Sequence, residues 1–292
     1  MENSFRKSQF ESPLRYPGGK ACIYPFMSRL FYENNLIGIN YAEPYAGGAG
    51  LALKMLFNEF VNEIHINDLD KSIYAFWNAM INHNLRFCDW VENVNITIEN
   101  WNYFKSVQKN SESYDMFELA KSTFFLNRTN ISGVIKGGII GGQNQNGNYK
   151  IDARFNKNDL IKRIQRIELF KNRINLTNLD GINFIKKLNN INEDVFIYLD
   201  PPYLQKGAEL YMNFYSFKDH IKLAKNVDLI NKKWLVSYDN HEFILNLYSN
   251  HRKVLYNLSQ SASNRIGDEI IIFSENINFK ESINKLKNAI LI

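Results

Sequence analysis

The stretch Val195-Phe196-Ile197-Tyr198-Leu199-Asp200-Pro201-Pro202-Tyr203 constrains the fold of this chain more than any other. Its apolar run, rich in β-branched and aromatic residues, reads as a buried strand. Two prolines then lack the N–H groups that a ladder needs, so the strand stops at Asp200. The resulting stiff turn holds one carboxylate, exposed carbonyls and one aromatic ring at the C-terminal edge of a strand. Ligands bind at that edge in open α/β sheets. A carboxylate and a carbonyl can accept both hydrogens of one amino group while the ring of Tyr203 stacks on a flat partner. The stretch therefore describes a site for a nucleobase with an exocyclic amino group.

Other segments fit the same sheet. Ile39–Glu43 reads as a strand running into Pro44-Tyr45-Ala46-Gly47-Gly48-Ala49-Gly50, with a helix from about Leu51. Strand, glycine turn and helix let a nucleotide-like ligand lie against the backbone. The turn is neither a clean GxGxxG nor a P-loop. Glu63–Asp68 is the next strand, and its terminal acid suits ribose hydroxyls. Asp68 is preferred to Asp70 because it lies closer to the strand end; capping a helix from about Leu69 is the plainer role for it. Upstream, Arg15-Tyr16-Pro17-Gly18-Gly19-Lys20 makes a turn that permits close approach, and Lys20 can meet a carboxylate or a phosphate. Ile174–Leu179 reads as a strand leading to Asp180, which either caps a helix or binds a ring amino group that Phe184 covers. Three further strands are expected at Trp234–Tyr238, Lys253–Leu258 and Glu269–Phe273. Ser216 and Asp219 form a capping-box pattern, and Asn158 is expected to cap the helix that follows it.

Between about Ile73 and Arg154 the strand–helix alternation fades. Helical patterns there, notably Met116–Leu126, lead into a loop rich in glycine and amide side chains from Gly137 to Asn148. With Arg128, Lys136, Lys150 and Arg154 around it, such a loop suits a phosphate backbone and base edges. The change of texture marks 73–154 as an inserted subdomain, with 1–72 and 155–292 forming one α/β domain. A net charge of +5 and a pI of about 8.9 permit a polyanionic partner. Cys22 and Cys88 form no CxxC pair and the five histidines show no ligand spacing, so no metal or disulfide framework is expected. A reducing cytoplasm fits. No apolar stretch approaches the ~18–20 residues of a membrane span.

Three motifs taken in order, Arg15-Tyr16-Pro17-Gly18-Gly19-Lys20, Glu43-Pro44-Tyr45-Ala46-Gly47-Gly48-Ala49-Gly50 and Asp200-Pro201-Pro202-Tyr203, resemble those of the Dam-type DNA adenine-N6 methyltransferases. Leu126-Asn127-Arg128 with Ser132-Gly133, and Asn264-Arg265 leading to Asp268-Glu269, add to the resemblance. It implies a Rossmann-like α/β fold that uses S-adenosylmethionine and carries an inserted, mainly helical target-recognition subdomain. It places Tyr16, Lys20, Glu43, Pro44, Ala46, Gly47, Gly48 and Gly50 in the donor pocket, Asp68 on the ribose and Asp180 on the cofactor adenine. Asp200, Pro201, Pro202 and Tyr203 become catalytic, acting on an adenine flipped out of double-stranded DNA. Arg128, Asn130, Ser132, Lys136 and Arg265 become DNA contacts. Lys136 stands where such enzymes can carry a base-reading arginine, and Ile131 where they can carry an intercalating aromatic. Related cytosine-N4 enzymes tend to have Ser at the Asp200 position, and RNA adenine enzymes Asn, so Asp200 favours DNA adenine over either. A non-catalytic DNA-binding relative would be expected to have lost Asp200 or the glycine turn.

Overall fold

The computed structural model describes residues 11–16, 18–204, 215–260 and 265–292. Pro17, the loop bearing Tyr211 and Phe214, and Asn264 lie outside the described residues. One sheet organises the molecule: β1 (Asn40–Glu43), β2 (Ile64–Asn67), β3 (Ile174–Thr177), β4 (Val195–Leu199), β5 (Lys233–Asp239), β6 (Arg252–Gln260), β7 (Arg265–Phe273) and β8 (Lys287–Leu291). Their order is β3-β2-β1-β4-β5-β7-β6-β8. The first five in that order are parallel. β7 runs antiparallel between β5 and β6, and β8 pairs antiparallel with β6.

The central strand β4 is buried along its whole length. Phe196 and Tyr198 enter the core on one face, and Val195, Ile197 and Leu199 the core on the other. This alternation is the two-residue period of a strand covered on both sides. The first face is covered by α1 (Tyr24–Glu33), α2 (Gly50–Phe57) and residues of the helices between β2 and β3. The second face carries α8 (Gly181–Asn189), α9 (Phe217–Val227) and α10 (Glu242–Leu247). The expected capping box opens α9: Ser216 accepts from Asp219 N, and Asp219 accepts from Ser216 N at 2.8 Å. His220, Leu223, Ala224 and Val227 then form the buried stripe at helical spacing.

Between β2 and β3 the chain forms α3 (Lys71–Asn82), α4 (Asn84–Asn93), α5 (Ile98–Lys109), α6 (Met116–Thr129) and α7 (Lys157–Phe170). α3 and α5 pack on α6, and α7 packs on α4. The helix expected after Asn158 begins at Lys157, and its cap is Asn156, which accepts from Asp159 N at 3.1 Å. The apolar residues of these helices run without a break into the core on the first sheet face. No helix among the described residues is long and apolar enough to cross a membrane.

Every loop that matters for the site leaves the carboxyl edge of the parallel strands, and Asn67 ties three of these exits together. Its side-chain amide donates to the carbonyls of Pro44 at 3.0 Å and Leu179 at 2.9 Å. Its carbonyl oxygen accepts from Leu179 N at 2.9 Å and Thr177 Oγ1 at 2.8 Å. The ends of β1, β2 and β3 are thereby fixed by one fully buried side chain. On the other side of β4, β7 pairs with β5 only as far as Asp239↔Glu269, whereas its pairing with β6 continues to Gln260↔Arg265. The β6–β7 hairpin thus stands above the carboxyl edge. Removing the Asn67 amide leaves several buried backbone groups unpaired, so Asn67→Ala should lower stability by about 2–4 kcal/mol. Urea unfolding should show a lower midpoint with an unchanged slope.

Candidate active site

The turn between β1 and α2 is held on every side. Gly47 has φ +46°. Its N–H donates to Asp68 Oδ2 at 2.9 Å, and its carbonyl accepts from Trp77 Nε1 at 2.9 Å. A Cβ at Gly47 would meet Tyr16 Cε1 at 2.5 Å, and one at Gly48 would meet Tyr16 Cβ at 2.8 Å. Only glycine lets the Tyr16 ring lie against this turn. Ala49 precedes α2 in the left-handed region and gives no side-chain cap. Glu43, the last residue of β1, supplies the cap instead: its Oε1 accepts from Ala52 N at 3.0 Å and from the Tyr41 hydroxyl at 3.0 Å. Burial pushes the Glu43 carboxyl up to about 8, against the opposing effect of those two bonds.

Asp68 accepts from Asp70 N at 2.9 Å as well as from Gly47. Burial raises its carboxyl to about 7, with Asp70 adding to the rise. Each carboxylate oxygen can accept more than one bond, so Asp68 keeps acceptor capacity beyond these two. The cap of α3 is Asp70, not Asp68; it accepts from Ser72 N at 2.8 Å, and the helix begins at Lys71 rather than Leu69. Asp180 caps α8, accepting from Ile182 N at 3.0 Å. Phe184, expected to cover a bound ring, is buried in the core of the second sheet face. Tyr45 takes that neighbourhood: it packs on Gly181, where a Cβ would come within 2.6 Å of its Oη, and its hydroxyl lies 3.0 Å from that of Tyr215.

β4 ends at Leu199, and Asp200 is the centre of a buried charge cluster. Its Oδ1 accepts from Ser237 Oγ at 2.7 Å, and Ser237 lies 2.8 Å from the Tyr198 hydroxyl. Lys20 Nζ stands 3.6 Å from Asp200 Oδ1 but 2.8 Å from Glu269 Oε2. The same ammonium donates to the Tyr203 hydroxyl, and Glu269 Oε2 also accepts from the Tyr256 hydroxyl at 2.8 Å. The side chains of Lys20 and Glu269 are 3% and 4% exposed, that of Asp200 23%. Burial raises the Asp200 carboxyl, Lys20 opposes this and Glu269 adds to it. Lys20, assigned by resemblance to the donor pocket, therefore sits against the acid of the Asp-Pro-Pro-Tyr turn. Its nitrogen lies 4.8 Å from the Tyr203 ring centroid. Because it bonds the hydroxyl, it stands at the rim of the ring and not over a face.

The expected DNA contacts divide. Arg128 is 7% exposed, its Nε donates to the Pro13 carbonyl at 2.7 Å, and burial lowers its guanidinium to about 9. Asn130 is fully buried; its amide donates to the Val134 and Ile135 carbonyls and its oxygen accepts from Trp101 Nε1 at 2.7 Å. Neither side chain can reach a nucleic acid. Both belong to a clasp in which Asn127 bonds the N–H and the carbonyl of Arg15, each at 2.8 Å. Ser132 is half-buried at φ +55°, while Lys136 is exposed and Ile131 is 59% exposed. Arg265 opens β7; its side chain lies outside the described atoms. Asn67, Trp77 and Ser237 are site-forming residues that the sequence does not flag, and Glu269 enters the sequence reading only as part of the Asp268-Glu269 pair, with no role given to it.

A glycine turn, carboxylates at the ends of β2, β3 and β4, and an aromatic ring gather on one edge of an α/β sheet and make it the candidate site of a transferase. Residues 16–264 match the family described as D12 class N6 adenine-specific DNA methyltransferase, and the chain belongs to that family. It therefore transfers a methyl group from S-adenosylmethionine to N6 of adenine in DNA. The donor chemistry present fits this cofactor: Asp68 and Asp180 offer acceptors for hydroxyl and amino groups beside a turn whose glycines admit close approach. Among solved structures the chain is similar to the rRNA methyltransferase AviRa of Streptomyces viridochromogenes, at 11% identity and a TM-score of 0.37, covering 88% of this chain and 85% of that one. It is also similar to a conserved hypothetical protein of Streptococcus pyogenes, at 10% identity and a TM-score of 0.33, covering 83% and 89%. A search of curated proteins finds no match. Among the described residues no group of three or more His, Cys, Asp or Glu is placed to hold a metal.

Glu43 gives a pH signature. Its carboxyl goes from 4.5 to about 8 on folding, so between those values the folded chain holds a proton that the unfolded chain has released. Its contribution is fully present below pH 4.5 and is lost as pH rises through about 8. Glu43→Gln should remove this component. Its stability relative to the parent should rise across that window, as read by chemical denaturation at a series of pH values.

Proposed function

We propose that Asp200 and the Pro201 carbonyl each accept one N6 hydrogen of an adenine flipped out of double-stranded DNA, with Tyr203 stacked on the extruded base. The observation that carries this reading is the setting of Asp200. It is a partly exposed carboxylate at the end of the central strand, beside the glycine turn, held through one oxygen by Ser237. The adenine amino lone pair is delocalised into its ring, and two acceptors on its hydrogens draw the nitrogen toward a tetrahedral shape. The lone pair then points away from the ring plane, along the line of attack. S-adenosylmethionine, when bound, supplies an electrophilic methyl group. Tyr16 and the backbone of Pro44, Ala46, Gly47, Gly48 and Gly50 hold it, with Asp68 at the ribose and Asp180 at the adenine, while Glu43 supports the turn from inside. Pro202 stiffens the turn that carries Tyr203. Stacking on Tyr203 offsets part of the few kcal/mol that base flipping costs.

Asp200→Ala deletes an acceptor that acts as the nitrogen changes geometry, so single-turnover methyl transfer should fall by about a hundredfold or more. Donor affinity, measured by calorimetry, should hardly change. Transfer at the parental rate would remove Asp200 from the mechanism.

Residues 73–154 serve as the target-recognition part, and residues 1–72 and 155–292 as the catalytic part. The DNA face is read from a groove of about 340 Å³ lined by Lys105, Ser106, Gln108, Lys109, Ile135 and Lys136, of which Lys109 and Lys136 are exposed, as is Ile131 nearby. Lys105 and Lys109 contact phosphates, Lys136 reads a base, and Ser132 and Arg265 lie on the same duplex. Lys109→Ala should weaken binding on all sequences and reduce the salt slope by about one. Lys136→Ala should instead relax the preference at one position of the site. Methylation of a randomised duplex library by each variant separates the two outcomes.

A further inference from the structure

Glu269 takes no part in the reaction just described, yet it is built into the site more tightly than Asp200 itself. It is reached from the opposite direction: β7 is antiparallel, so an early residue of this strand arrives at the carboxyl edge, paired with Asp239 at the end of β5. Its Oε2 holds Lys20 Nζ at 2.8 Å and is held by the Tyr256 hydroxyl at 2.8 Å. The second carboxylate near this ammonium, Asp200, is left at 3.6 Å. One cation thus stands between two acids and is bonded to the one that takes no substrate.

We propose that Glu269 is a positioning residue for methyl transfer, keeping the Lys20 ammonium off Asp200 so that the Asp200 carboxylate remains available to the adenine amino group. The inference rests on the reading of Asp200 as acceptor, which has its own separate test above. A buried ammonium without Glu269 has, among the described residues, one carboxylate left within reach. It closes on Asp200 from the Oδ1 side, competes with Ser237 for that oxygen, turns the carboxylate away from the adenine amino group, and draws the Tyr203 hydroxyl with it. The interactions of Lys20 with Tyr203 and of Ser237 with Asp200 are consistent with an anchored acid that is not neutralised by a close ion pair. Displacement of a reacting group by about 1 Å can cost a hundredfold in rate.

The test is a four-member cycle of the full-length protein: the parent, Glu269→Gln, Lys20→Met, and the double variant, each in single-turnover transfer at saturating donor and DNA. Glu269→Gln should lower the rate by about a hundredfold, with donor affinity held. The double variant removes the ammonium together with its holder, and should be faster than Glu269→Gln. It also replaces a buried pair with uncharged side chains, which folded proteins tolerate well. Glu269→Asp keeps the charge and should recover part of the rate. The groups acting on Asp200 are Lys20 and Cys22 before α1, Tyr41 and Glu43 on β1, Tyr198 and Tyr203 on and after β4, Ser237 on β5, Tyr256 on β6 and Glu269 on β7. Removing the negative charge of Glu269 leaves Lys20 to favour the Asp200 anion, so the acid limb of the rate profile should move to lower pH. A Glu269→Gln rate equal to the parent's, a double variant no faster than Glu269→Gln, or an unmoved acid limb would each overturn the proposal. A merely structural role for Glu269 predicts the last two.

Discussion

The carboxyl edge of this sheet gathers many polar side chains and is nonetheless largely closed off from water. A buried polar group without a partner costs on the order of 1–3 kcal/mol, and a buried charge more. Nearly every local feature answers that constraint. Asn67 pairs the exits of three strands, Glu43 caps α2 from within the sheet, and Asp68 and Trp77 hold the N–H and the carbonyl of Gly47, one on each of its two peptides. Lys20 balances two acids that could not both lie there as anions alone. Satisfying these groups also orients them, and donors and acceptors fixed before the ligand arrives need not reorganise during the reaction.

The helical segment is attached by the same kind of bond. Asn127 and Arg128 hold the backbone of Pro13 to Arg15, directly ahead of Tyr16 and Lys20. Gly133, at φ +79°, is pressed against the Arg15 carbonyl, where a Cβ has no room. The loop that presents Ile131 and Lys136 outward therefore grips, through its inner side, the stretch that lines the glycine turn and reaches Asp200.

What the sequence made legible was local. Two prolines after an apolar run marked the end of β4, glycines after a short strand marked the turn, and Ser216 with Asp219 marked a helix start. Each is a backbone rule acting over a few residues. Residue type does not report burial, which is why Arg128 and Asn130 read as nucleic-acid contacts when their partners are Pro13, Trp101 and two loop carbonyls. Asn67, Trp77 and Ser237 act only through partners brought close by the fold, so no short pattern announces them. β8 carries little alternation because it is an exposed edge strand, with Ile290 and Leu291 both facing water.

The β6–β7 hairpin carries one more implication. Beyond the Asp239↔Glu269 pair, its two strands continue together for the residues from Asp268 to Arg265. At about 3.4 Å per residue this is an arm of roughly 14 Å rising beside the active site. Side chains on such an arm alternate between a side facing the site and a side facing away. Lengthening or shortening both strands by two residues changes its reach and keeps every remaining side chain on its own side. A change of one residue per strand exchanges the two sides along everything beyond it. The arm's height can therefore change without exchanging its sides only in even steps, while Glu269 at its base stays where the sheet holds it.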